Sequence, residues 1–181
     1  MIRFLILSLV LFSLQCKGNI SDSEKEKQAV SLIGEMQKEL LTNLTESIQT
    51  KGIEASITHC SKISPELENK LSHSGWNIKR ISQKNRNPHH FPDVRQLAVL
   101  KQWETVLQEG KKPEVFISKE GSSFLVMKPI LLAPNCVVCH GNDTEIDSKV
   151  RSKILEIYPN DKAIGYKTGD LRGAFVAEFK E

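Results

Sequence analysis

The 181-residue chain is poor in aromatic side chains, 6% of the total, and shows no marked excess of either charge, with 25 Lys and Arg against 22 Asp and Glu. Its basic residues are interleaved with acids, which excludes the clustered positive footprint of a nucleic-acid binder. There are no internal repeats, which excludes a solenoid or propeller. No apolar run after the N-terminus reaches transmembrane length, so membrane attachment has to come from the start of the chain. Cysteine is scarce, at 4 residues, so each one calls for an explanation.

The chain opens MIRFLILSLVLFSLQCKGN. Arg3 supplies a positive n-region, and Phe4 to Leu14 form an apolar stretch too short to span a bilayer as a mature helix. Residues 1–15 therefore read as an export signal. Cys16 follows at once, where a lipoprotein signal places its acylated cysteine. Ser13 and Gln15 stand where such signals usually carry Leu and a small residue, so an ordinary cleaved signal with a nearby cysteine is the alternative. Either reading exports the protein to the periplasm or cell envelope, and any membrane anchor is then a lipid on Cys16. Arg3 is the single charged residue before Cys16, so the remainder holds 24 basic and 22 acidic residues.

Residues 16–27 are polar and aperiodic and suit a tether, leaving 28–181 for one domain. Val30, Ile33, Leu40, Leu41, Leu44 and Ile48 recur at helical spacing, predicting a long amphipathic helix over 24–50 that ends near Gly52. A shorter helix over 53–61 carries His59 and Cys60. Ser64-Pro65-Glu66 has the cap, proline and acid of a further helix start, with an end near Gly75. Trp76, Ile78 and Ile81 suggest a strand. NRNPHHFPD (85–93) is a proline-punctuated loop before a helix that reaches Gln108. EVFIS and SSFLVMKPI read as a hairpin, 144–158 as an amphipathic helix, and GAFVAEF as a last strand. Helices followed by a mostly antiparallel sheet define an α+β chain.

The chemistry concentrates in NCVVCHG (135–141). Two thiols three residues apart can form thioethers with the two vinyl groups of a haem, and the next residue, a histidine, can turn back to ligate the iron. Cys136, Cys139 and His140 have that spacing, and Gly141 permits close backbone approach. Export agrees with attachment outside the cytoplasm. A Cys136–Cys139 disulfide and a zinc site of Cys60, Cys136, Cys139 and His140 are the competing readings. The candidates for a sixth iron ligand are Met127, Met36, His59, His73, His89, His90 and Cys60, and composition does not choose among them.

Four stretches carry a resemblance: ITHCSKISPEL, IKRISQKNRNPHHFPD, FLVMKPILLAPNCVVCHG and ILEIYPNDKAIGYKTGDLRGAF. In this order they resemble a family of small exported haem-c proteins with a PAS-like fold, found alone or as sensory domains of bacterial signalling proteins. The resemblance implies an antiparallel sheet of about five strands flanked by helices, and one covalent haem c on Cys136 and Cys139. It implies His140 as proximal ligand and Cys60 as an unusual distal one. Arg80, Arg86 and Arg172 fall in the matching strings and become candidates for binding the haem propionates, since guanidinium groups pair with carboxylates in two-point fashion. His/thiolate ligation would leave no vacant iron site, so no enzymatic activity is expected. The expected role is a redox or gas sensor, or a low-potential redox protein, acting on a periplasmic redox or signalling partner. Electron transfer without sensing is the alternative, and the long first helix offers a surface for a homodimer.

Overall fold

The structure, a computed structural model, describes residues 20–180; the expected export signal and Cys16 lie outside the described residues. Helix α1 (Asp22–Leu71) leads into β1 (Trp76–Ile81), α2 (Val94–Gln108), the hairpin β2 (Phe116–Glu120) and β3 (Ser123–Leu131), α3 (Val137–His140), α4 (Ser148–Ile157) and β4 (Leu171–Lys180). The strands form one sheet in the order β1-β4-β3-β2, with every neighbouring pair antiparallel. The sheet is thus four-stranded among the described residues, where the family resemblance implied about five. The loop before β4 adds no strand among the described residues; its Gly165 and Tyr166 amides bond the Gly141 and His140 carbonyls instead.

Side chains alternate across the sheet, so each face has its own core. On one face Trp76, Ile78, Val126, Phe175 and Ala177 meet Ala29, Ile33 and Met36 of α1. On the other, Leu125, Met127, Ala174 and Val176 meet Val99, Leu100 and Trp103 of α2. A third cluster lies off the sheet, where Ile57 of α1 packs on Ile146, Val150 and Ile154, the last two from α4.

Helix α1 differs from the three helices read in the sequence. It starts at Asp22, inside the expected tether, because Ser21 caps it by accepting from the Glu24 amide at 3.3 Å. Gly52, at φ 80° and ψ 169°, is a kink that splits it as expected. The second half then runs through Pro65 instead of restarting there. An interior proline costs about 3 kcal/mol through its lost hydrogen bond and ring clash. Burial of Ile57, Leu67 and Leu71, spaced to fall on one helical face, offsets that cost. Val30 and Leu41, placed by periodicity on the apolar face, are instead exposed.

The kink divides α1 by role. The first half covers the sheet, and the second carries Cys60 past the end where β1 and β3 finish and β4 begins. At that end Gly173 takes φ 154°, and an added Cβ would lie 2.1 Å from the Ile81 carbonyl oxygen. Backbone cannot yield there as a flexible side chain would. Gly173→Ala should therefore lower stability by roughly 3 kcal/mol or more, near the top of the single-substitution range, and urea unfolding against the parent chain measures it.

Candidate functional site

The cysteine motif folds as a tight helical unit. Pro134 starts a 3₁₀ turn over Pro134–Cys136, which passes straight into α3. The Gly141 amide closes it by donating to the Val137 carbonyl at 2.7 Å. A Cβ on Gly141 would stand 2.7 Å from that carbonyl and 2.8 Å from Glu145 Oε2. Glycine is thus required by the packing of the helix end on the following turn. Cys60, Cys136 and Cys139 are all free thiols, so no CxxC disulfide is present.

An arm from the loop before β4 holds the histidine. The Gly165 and Tyr166 amides donate to the Gly141 and His140 carbonyls at 2.8 and 3.0 Å. His140 Nδ1 lies 2.8 Å from the Ala163 carbonyl oxygen. A carbonyl only accepts, so Nδ1 carries the proton and Nε2 presents a bare lone pair. Burial, reinforced by the positive charges of Arg172 and Arg86, holds His140 well below the usual imidazole range, so the ring is neutral. The Tyr166 ring stands edge-on to it at 6.4 Å.

Behind this arm lies a buried charge web that the sequence reading missed. The Asp161 side chain has no solvent exposure. It receives Arg86 Nε at 3.1 Å and Nη2 at 3.3 Å, Arg151 Nη1 at 3.1 Å and the Ala163 amide at 3.0 Å. Arg86 Nη2 also donates to the Cys139 carbonyl at 2.6 Å. Arg86, placed by the resemblance among possible propionate ligands, is thus engaged with Asp161 and the motif backbone. Asp161 stands in the YP-x-D string, yet its partner Arg86 is 75 positions away, so sequence alone gave no sign of the pair.

Cys60 approaches from the second half of α1. Burial pushes its thiol pKa up, while the charge of Arg80 pulls it down. Cys139, within electrostatic range of Cys60, is pushed up by burial against the opposing charge of Arg86. Arg80 donates through Nη2 to Ser64 Oγ, and its Nε is buried without a partner. Arg172 donates through Nη1 to the Lys84 carbonyl at 3.3 Å, and its Nε is likewise buried and unpaired. Burial brings Arg172 down to about 10. Lys84 sits 4.4 Å over the Tyr166 ring and the Arg172 guanidinium 5.4 Å from its centre.

The remaining ligand candidates are placed elsewhere or already bonded. Met36 and Met127 are fully buried in the two sheet cores. His90 Nε2 lies 3.0 and 3.1 Å from the two Glu68 oxygens. His73 and His89 are exposed, and half-buried His59 adjoins Cys60. Asn87 and Asp170 shape turns, accepting from the His89 and Lys167 amides at 3.0 and 2.7 Å. Among the described residues no three or more His, Cys, Asp or Glu side chains converge to hold a metal ion.

A helix-flanked antiparallel sheet with a CxxCH turn, a tautomer-fixed histidine and two arginine Nε–H groups buried without partners at one end defines a class of small α+β domain. Within it, the chain belongs to the Tll0287-like family, whose model matches residues 19–179. The crystal structure of the cyanobacterial heme-protein Tll0287 has the same fold, with a TM-score of 0.68, 22% identity, and coverage of 90% of this chain and 98% of that one. No curated protein matches the chain.

The neutral buried His140 yields a pH prediction for the chain prepared without a ligand. Its folded pKa is depressed, so below the unfolded value of about 6.5 the unfolded state binds a proton that the folded state refuses. Stability should fall as pH drops below that value, by at most about 1.4 kcal/mol per pH unit from this group. Urea midpoints taken across this range should show the fall, and His140→Gln should flatten it.

Proposed function

We propose that the protein is an exported monohaem c-type protein that senses redox state or a gas, or works as a low-potential redox protein, at the cell envelope. In this reading Cys136 and Cys139 carry the thioether links, His140 is one axial ligand and Cys60 the other. One observation carries it. The histidine of a CxxCH turn has its Nδ1–H fixed on the Ala163 carbonyl and its Nε2 left for iron, which is the second-shell arrangement of a metal-ligating imidazole. The fold relative's description as a heme-protein supports the same cofactor.

The rest of the site suits the group. Neither Arg172 nor Lys84 forms an ion pair among the described residues, and Arg80 and Arg172 each keep a buried N–H without an acceptor. Leaving such donors bare is costly, and the two propionates of a haem would satisfy them. A zinc site is disfavoured, because the thiols and His140 do not converge. When bound, the haem would supply one-electron chemistry at iron. The protein's contribution is to hold His140 neutral and oriented and to keep the Arg80 charge beside a half-buried Cys60. Cys60 sits on the α1 segment that continues through Pro65 to the sheet, so a ligand change there has a route to the body of the domain. Plain electron transfer between periplasmic partners, without a conformational output, is the second reading. The cysteine at position 16 would tether either version to a membrane.

Ultraviolet–visible spectra of protein exported with the c-type maturation machinery, oxidised and reduced, test the proposal. A covalent haem is expected, with an oxidised spectrum that changes in Cys60→Ala. A haem spectrum indifferent to Cys60 would move the sixth ligand to another side chain such as His59. Absence of haem would return the motif to zinc or a disulfide. Carbon monoxide added to the reduced protein separates the two roles: an unchanged spectrum argues against gas sensing.

A further inference from the structure

His140 donates to Ala163, but the acceptor is not a free carbonyl. Arg86 Nη2 lies 3.5 Å from the same Ala163 oxygen while donating to the Cys139 carbonyl at 2.6 Å. Asp161 grips this guanidinium through two nitrogens and also receives the Ala163 amide at 3.0 Å. One buried carboxylate therefore fixes both the peptide whose carbonyl accepts the histidine's N–H and the cation that shares that oxygen.

We propose that Asp161 is a positioning residue for His140, and that through Arg86 and the Ala163 carbonyl it sets the electron density of the imidazole and so the reduction potential of the iron. This rests on the haem reading above. A carbonyl that accepts from two donors pulls less on each, so the Arg86 contact limits how far the Nδ1–H bond pushes His140 toward imidazolate. Less anionic imidazole favours the ferrous state. Asp161 opposes that by contributing a negative charge that balances Arg86. Haem proteins are open to this adjustment because second-shell hydrogen bonding and local charge are established levers on haem potential.

The pair of substitutions Asp161→Asn and Arg86→Lys separates charge from geometry. Asp161→Asn removes the balancing charge and should raise the potential, by about tenfold in the ferrous-to-ferric ratio at fixed poise, or ~59 mV for one electron. Arg86→Lys keeps the charge but loses the planar fork that reaches Asp161 and both carbonyls together. It should change the electron paramagnetic resonance signature of the ferric haem, which reports imidazole orientation and donor strength. Asp161→Glu should recover part of the parent behaviour. Asp143→Asn is the control: Asp143 touches the same web through Arg151 Nε at 3.4 Å but is 73% exposed, and it should move neither readout.

Haem bound normally, with potential and resonance signature unchanged in both variants, would overturn the proposal and leave the haem reading standing. Equal shifts in Asp143→Asn would also overturn it, since they would mark a nonspecific charge effect. A parent protein without haem would overturn both together. If Asp161→Asn fails to fold, Arg86→Lys and Asp161→Glu still decide the matter.

Discussion

The candidate site depends on a carboxylate that water does not reach. Burying an anion is strongly unfavourable unless every lone pair is met, and removing one partner of such a group leaves an uncompensated charge. Asp161 is met by two arginines and a backbone amide, and these donors come from three separate parts of the chain. Arg86 comes from the loop after β1, Arg151 from α4, and the Ala163 amide from the approach to β4. That single group therefore draws together the segments that frame the cysteine motif. Arg86 extends the grip to the motif itself by donating to the Cys139 carbonyl.

The scaffold under this web is simpler. The sheet buries both faces, one against the first half of α1 and one against α2, and it needs nothing from the site for either core. The site is built at one end, from chain that leaves or re-enters the sheet. Gly173 shows how tight that end is, since β4 crosses Ile81 closely enough to exclude a Cβ. The Gly52 kink then lets one long helix serve two clients, the sheet before it and the third cluster after it.

Much of this was legible in the sequence because it rests on local patterns. Four strands, the hairpin and the break at Gly52 follow from period-two alternation and turn residues. Local patterns failed where distant burial decided. Ser64-Pro65-Glu66 carries every mark of a helix start, yet α1 runs through it because Leu67 and Leu71 are wanted on the same buried face as Ile57. Ser21 capped a helix in what composition marked as tether. The basic residues show the same limit. Arg80, Arg86 and Arg172 look alike in the sequence, but only Arg86 has a buried carboxylate to bind, and that partner lies in another loop. Residue type identified the cations, and tertiary pairing sorted them.

The sorting leaves the two sides of the site unequal. His140 is held at Nδ1 and at its carbonyl, and the arm that holds it is itself fixed by Asp161, so the proximal side is over-determined. Cys60 has no such frame. Its neighbourhood consists of a half-buried helix position, the charge of Arg80, and whatever the packing of Ile57 provides. Burial raises the Cys60 thiol against the opposing charge of Arg80, and among the described residues no carbonyl fixes it as Ala163 fixes the imidazole. Within the proposed haem reading, a change of state is therefore easier at Cys60 than at His140. Arg80 ties that turn of α1 to β1 through Ser64, so displacement of Cys60 would press on the strand that begins the sheet. An electron-transfer protein gains little from such an asymmetry, because rapid transfer favours two fixed ligands and small reorganisation. A sensor requires it: one ligand must stay to keep the group in place while the other moves.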